Sequence, residues 1–278
     1  MQAELSRIDS GNVLELRFRE SGAEFAEEAD AGLALRSRGE GAETVPVPRV
    51  RREGGRLRAE LDELPLADGV WDVVFVRADG RTEPVATADP GFSLRERSAY
   101  LAEPRQRELR VVRTPEGRLR LRAASVLPYA EVERIDIDET EITVSGVPAY
   151  VPRRPGRQEA QLVVRQRKRS GVVTVEAELA DAAFRCRIPL APMSEAHDFD
   201  RAHNEWDLWL RTPLADAELR LASRADDIVG KKKRFTFPAA VLGGAERRVR
   251  IRPYYTVDDD LSLLATDARG DKAQGAHE

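Results

Sequence analysis

His197, Asp198, Asp200 and His203 crowd one short stretch, Met193-Ser194-Glu195-Ala196-His197-Asp198-Phe199-Asp200-Arg201-Ala202-His203. Imidazole nitrogens beside carboxylates are what a zinc site is made of. None of the spacings by which zinc ligands converge is present, so the stretch reads as a solvated loop. Asp258-Asp259-Asp260 offers the carboxylate oxygens that calcium takes. Calcium needs ligands spaced to converge, with a glycine for the turn. Three adjacent aspartates between Val257 and Leu261 read instead as an acidic hairpin turn. No metal and no other cofactor is expected.

Two further carboxylates, Asp72 and Asp207, each follow a tryptophan, in Trp71-Asp72 and Trp206-Asp207. A pair of carboxylates serves as acid and base in glycoside hydrolysis only when both flank one bond. These two fall in separate repeats, so each is expected to make a local structural hydrogen bond. Cys186 shares a strand face with Phe184 and Ile188 and reads as a small core residue. No glycine-rich phosphate loop, serine nucleophile elbow or kinase signature is present. An enzyme built from carboxylates alone stays open, with no motif to support it.

Lys231-Lys232-Lys233-Arg234 is the most concentrated basic run, and Arg165-Gln166-Arg167-Lys168-Arg169 is another in the same half. Clusters of this kind contact phosphate groups. Phe235 and Phe237 are the nearby aromatics and alternate as strand core residues, so a nucleic-acid partner is not expected. A solvated face is the first reading of such a run. Alternation turns Trp206, Leu208 and Leu210 to one face and Trp209 to the other. An outward tryptophan stacks on a sugar or anchors a partner, and cover by the first domain accounts for it equally well. Tyr254 and Tyr255 straddle the faces of their strand and are candidates for the same surface.

The elements that carry these residues have a period of two. Leu57, Ala59 and Leu61 alternate with Arg58, Glu60 and Asp62, and Leu109, Val111, Leu119 and Leu121 flank the turn Thr114-Pro115-Glu116-Gly117. Alternation with charge on the other face marks half-buried antiparallel strands. Gly, Pro and Asp punctuate them, as in Ala78-Asp79-Gly80-Arg81, a hairpin turn. Glu24 to Ala34 reads as a charged loop running into a strand. The pattern then recurs. Leu162 to Val164 precede Arg165 as Leu33 to Leu35 precede Arg36. Val249 and Ile251 match Leu109 and Val111, and Leu261 and Leu263 match Leu119 and Leu121. The fold expected is all-β: two tandem immunoglobulin-like antiparallel β-sandwiches from an internal duplication. Closed barrels remain open, because alternation does not fix closure. The first sandwich is placed at 1–125, the second at 126–266 and a frayed tail at 267–278.

With 45 Lys and Arg against 49 Asp and Glu, the net charge is -4, which names no polyanionic partner for the chain as a whole. Cys186 is the one cysteine, so no intrachain disulfide forms. Met1 to Arg7 has no basic segment before an apolar run, and no apolar stretch reaches bilayer length. A cytoplasmic protein, or part of a larger one, is expected.

Leu64-Pro65-Leu66-Ala67-Asp68-Gly69-Val70-Trp71-Asp72-Val73 resembles a strand of bacterial immunoglobulin-like domains whose aromatic packs into the core. Gly-x-Trp-Asp-x-x-x-x-Arg is also similar to modules that accompany actinobacterial family-2 glycosyltransferases and wall teichoic acid glycosyltransferases. Arg252-Pro253-Tyr254-Tyr255-Thr256-Val257-Asp258-Asp259-Asp260-Leu261-Ser262-Leu263 resembles their closing hairpin. The resemblance implies a non-catalytic interaction or oligomerisation module in envelope-glycopolymer synthesis. Its partner would be a glycosyltransferase, a second copy of the chain or an anionic glycopolymer. The alternative is a carbohydrate-binding or carbohydrate-active protein with a site between the domains or on the second one.

Overall fold

A computed structural model describes residues 1–18, 31–38, 41–91, 93–226, 228, 230–244 and 247–268. Most of the Glu24–Ala34 segment and the tail from residue 269 lie outside the described residues. Strand dominates and helix is scarce, as the alternating pattern predicts. Contacts divide the chain into two compact units, Met1–Leu127 and Pro128–Glu278.

In the first unit, β1 (Gln2–Ile8), β2 (Val13–Phe18), β5 (Val50–Glu53), β6 (Arg56–Glu60) and β9 (Ala86–Thr87) form one sheet in the order β5-β6-β2-β1-β9. The second sheet runs β10-β11-β7-β3-β4, with β3 (Gly32–Ser37), β4 (Thr44–Val47), β7 (Gly69–Val76), β10 (Arg107–Arg113) and β11 (Leu119–Ser125). A short β8 (Thr82–Pro84) also pairs with β7. The alternation predicts the buried faces: Leu14 and Leu16, Leu57 and Ala59, Trp71, Val73 and Phe75 are all buried. Trp71 donates its indole N–H to the carbonyl of Ala67 at 3.1 Å, so its polar edge is satisfied inside.

A helix, α1 (Leu94–Leu101), also stands in this unit and was not expected from the apolar spacing. Its signal is Ser93-x-x-Glu96, a capping sequence, and the Ser93 hydroxyl accepts from the Glu96 amide at 3.4 Å. The helix is too short for a full stripe, but Arg97, Tyr100 and Leu101 share its buried face. The Tyr100 hydroxyl donates to Asn12 Oδ1 and accepts from the Leu109 amide, each at 2.8 Å.

The second unit contains β12 (Tyr129–Ile137), β13 (Glu141–Ala149), β14 (Arg157–Gln166), β15 (Val172–Ala180), β16 (Ala183–Pro189), β17 (Asn204–Arg211), β18 (Leu219–Ala222), β19 (Ala240–Gly243), β20 (Arg248–Tyr255) and β21 (Leu261–Asp267). Two short helices interrupt them, α2 (Ala191–Glu195) and α3 (Lys231–Arg234). Pairing runs β14-β15-β16-β13-β12-β18-β17, and β17 pairs back to β14. These seven strands close into a barrel, whereas two open sheets were expected. The cause lies in β15, which pairs with β14 and β16 without a break. The corresponding stretch of the first unit is cut into β4 and β5 around Pro48, whose nitrogen has no proton to give a ladder.

Equivalent pairings recur in the two units. Arg36 lies opposite Asp72 and Trp71 opposite Leu121, as Arg165 lies opposite Asp207 and Trp206 opposite Leu263. One sequence match needs correcting. Leu109 faces Ala123 and Ile251 faces Ala265, so Ile251 answers to Leu109 and Pro253 to Val111. Alternation cannot distinguish a position from one two residues away, because both lie on the same face.

Candidate functional site

Strand β17 sorts its side chains as the alternation requires. Asn204, Trp206, Leu208 and Leu210 are buried, and Glu205, Asp207 and Trp209 point the other way and are half-buried. Around the outward row the side chains form a charged ladder. Arg167 grips Asp207 with two hydrogen bonds, 2.6 and 3.1 Å, and reaches Glu205 at 2.9 Å. Arg220 donates to Asp207 at 3.0 Å, to Ser262 Oγ at 2.7 Å and to the Leu208 carbonyl at 2.7 Å. Asp260 pairs with Arg220 and Arg224. Burial raises the Asp207 carboxyl, but the two guanidiniums and the Ser262 hydroxyl outweigh it and hold Asp207 below the usual carboxylate range. A carboxylate so neutralised has no proton to give near neutral pH, and its oxygens are already engaged. Asp72 in the first unit is similarly paired, 2.8 Å from Arg120.

Trp209 is not a free platform. It pairs across the sheet with buried Val163, and the Arg220 guanidinium lies 5.3 Å from its ring centroid. Tyr254 donates its hydroxyl to Glu205 at 2.6 Å, and burial with that carboxylate pushes the phenol up to about 12. Tyr255 is inside the unit, 6% exposed, so the expectation that it joins an outer surface is corrected. Odd and even positions of β20 face opposite ways, and Tyr255 follows Ile251 and Pro253 inward.

The basic run divides in the same manner. Lys231 is 2% exposed, with Nζ 2.7 Å from Asp226 Oδ1 and 3.1 Å from the Ile228 carbonyl. Its amide donates to Asp259 at 3.1 Å. Lys231 therefore belongs to the interior and not to the patch in which the sequence places it. Lys232, Lys233 and Arg234 are exposed, and among the described residues none of them pairs with a carboxylate. In the other run the three arginines are engaged, Arg165 with Glu218, Arg167 with Asp207 and Arg169 with Asp198, and Lys168 is exposed.

Phe235 and Phe237 were expected in a strand core, and this is also corrected. Neither lies in a strand; Phe235 is 38% exposed and Phe237 half-buried. Their rings stack with centroids 6.4 Å apart, and both lean on Tyr255, at 5.9 and 5.7 Å. Gly230 in the left-handed region at φ 71 opens the turn, and Pro238 denies a ladder amide just beyond it. Three exposed cations, unpaired among the described residues, thus lead into two partly bare rings on a turn held from beneath.

Glu131 is part of that foundation and was missed in the sequence. It is 4% exposed and accepts from the amides of Arg224 at 2.8 Å and Ala225 at 3.1 Å. The available signal was a carboxylate inside Tyr129-Ala130-Glu131-Val132, where all four side chains are buried and alternation fails. Burial raises its pKa, against those hydrogen bonds. With the folded value above the unfolded one, the stability this group contributes is present at low pH and is lost as pH rises through the folded value. Glu131→Gln should accordingly gain on the wild type in urea denaturation between about pH 4 and pH 7, by about 1 kcal/mol. Parallel pH curves for the two proteins would refute that.

The histidine loop holds a second surprise. His197 is 6% exposed and not solvated, with its ring edge-on to Phe199 at 4.7 Å. Among the described residues no group of three or more His, Cys, Asp or Glu is placed to hold a metal ion. Cys186 is buried, donates to the Val144 carbonyl at 3.5 Å, and has its thiol pushed up to about 12 by burial. No described helix is long and apolar enough to cross a membrane.

No protein-family model and no curated protein matches the chain. Among solved structures, a fragment of S. aureus TarS is similar at 13% identity and a TM-score of 0.38, over 61% of this chain and 50% of the fragment. A longer TarS structure gives 14% identity and a TM-score of 0.37, over 61% of this chain and 32% of that one. Pullulanase type I from Bacillus subtilis in complex with maltose gives 8% and 0.21, over 89% of this chain and 29% of the enzyme. The chain spans about half the length of the TarS fragment, and likenesses this distant establish neither family nor role for it.

Proposed function

We propose that the chain is a non-catalytic binding module that holds an anionic glycopolymer for a cell-envelope glycopolymer transferase. One observation carries the proposal: exposed Lys232, Lys233 and Arg234, which pair with no carboxylate among the described residues, lead directly into the stacked rings of Phe235 and Phe237. Cations suit the phosphates or carboxylates of such a polymer, and phenyl faces suit its sugar rings. The carboxylates of Asp207, Glu218 and Asp260 are tied to arginines, which favours holding over hydrolysis. We further propose that the two units arose by duplication of one immunoglobulin-like module, on the strength of their shared pairings.

The test is co-sedimentation with a phosphate-linked glycopolymer at two salt concentrations. Joint replacement of Lys232, Lys233 and Arg234 by alanine should weaken binding at least about tenfold and flatten its salt dependence, at about 1 kcal/mol for each cation near an anionic surface. Phe235→Ala should weaken binding at both salt concentrations alike. Unchanged binding by the triple variant removes this turn as the site.

A further inference from the structure

We propose that the loop between α2 and β17 is a pH-sensitive latch, held shut on the barrel by neutral His197 and opened by a proton on its ring. The bond at issue joins His197 Nδ1 to Asn204 Nδ2, 3.0 Å apart. Asn204 cannot choose its orientation freely. Its Oδ1 accepts from Gln166 Nε2 at 2.9 Å, and its Nδ2 lies 3.3 Å from the Asp198 carbonyl. The amide nitrogen must therefore face the imidazole, and Nδ1 must be the acceptor. That choice puts the ring proton on Nε2, which is buried and has no partner among the described residues.

A second proton has no place in this arrangement. An N–H at Nδ1 would point at the N–H of Asn204. Turning the Asn204 amide to offer its oxygen would strip Gln166 of its acceptor and set oxygen against the Asp198 carbonyl. Either outcome breaks a buried hydrogen bond and leaves a charge in the interior. The charged groups around the ring are Asp198, which is drawn toward Arg169, and Asp267 at the end of β21. Arg247 stands over Phe199, 5.2 Å from its centroid. The two carboxylates favour the proton, but burial dominates and lowers the His197 pKa. The folded value then lies below the unfolded one. The closed loop is at full strength above the unfolded value and loses stability as pH falls through the folded one.

Within the loop the hydrogen bonds are local, from Ser194 to Leu190, Ala196 to Pro192, His197 to Ser194 and Arg201 to Asp198. Breaking the contact with Asn204 therefore removes a buried tie to β17 and leaves the Asp198–Arg169 pair and the packing of Phe199 to hold a segment that is not part of any strand ladder. The polymer-binding turn takes no part in this, so either proposal can fail without the other.

Amide hydrogen exchange of the full chain, followed by mass spectrometry on peptides covering 191–204, tests the latch. After correction for the intrinsic rate, opening should increase about tenfold between about pH 7.5 and pH 5, while peptides from β13 and β16 stay protected. His197→Phe keeps a ring for Phe199 and should abolish the pH response. Asn204→Asp supplies an acceptor for the charged ring and should keep the loop closed at the acid end. A wild-type loop whose protection ignores pH overturns the proposal, as does an unaltered acid response in His197→Phe. Should His197→Phe unfold the unit, an unaltered response in Asn204→Asp overturns it alone.

Discussion

Lys231→Ala is expected to destabilise the second unit by about 2 to 3 kcal/mol and to weaken polymer binding as much as the loss of Lys232, Lys233 and Arg234 together. The residue touches no polymer in this account. Its ammonium is buried between Asp226 and the Ile228 carbonyl, and its amide is fixed by Asp259. Removing one partner from a buried ion pair leaves the other uncompensated, at a cost of about 3 to 5 kcal/mol when both are fully enclosed. Asp226 retains 30% exposure and can rehydrate, which sets the lower figure. Lys231→Met separates charge from packing, since it keeps the aliphatic stem and loses both polar contacts. Urea denaturation should rank the proteins wild type, Met, Ala. Binding should fall in both variants, because the turn that presents the cations loses its internal tie. Full binding by a folded Lys231→Met protein would show that the turn holds its shape unaided.

Lys231 also shows why some of the site escapes a sequence reading. Four consecutive cations look like one solvated patch, because single residues carry no record of direction. One helical turn after Gly230 rotates the first of them inward, and the acidic partner sits five residues upstream. His197 escapes in the same way. Its neighbours are polar, but Asn204, which it meets, and Gln166, which orients Asn204, belong to two different strands. Strand faces are much easier to read. Trp206, Leu208 and Leu210 against Glu205, Asp207 and Trp209 follow from alternation, and so does the outward aspect of Trp209. Closure does not follow, because a period of two says which face is buried and is silent on which strand is the neighbour. The barrel depends on β15 staying continuous where the first unit has Pro48.

Gly146→Ala should be severely damaging, costing about 3 kcal/mol or more, at the upper end of what overpacking does. β12 bulges between Val132 and Arg134, and the extra residue swings its backbone over Gly146 in β13. A Cβ placed there would sit 1.9 Å from the Glu131 carbonyl oxygen, 2.9 Å from its carbon and 3.1 Å from the Val132 Cα. All three are backbone atoms, so no rotamer change relieves the clash. Nor can β12 slide aside, because β13 and β18 hold it on both edges. The Glu131 side chain adds a third hold through the amides of Arg224 and Ala225, which lead into the loop that ends in the basic turn. The damage should therefore reach binding as well as stability. Gly32→Ala is the control, since a methyl there meets nothing within 4 Å, and it should change stability by less than about 0.5 kcal/mol. If urea midpoints put both variants within about 1 kcal/mol of the wild type, β12 yields more readily than its pairing allows, and the bulge is not the fixed support of the turn.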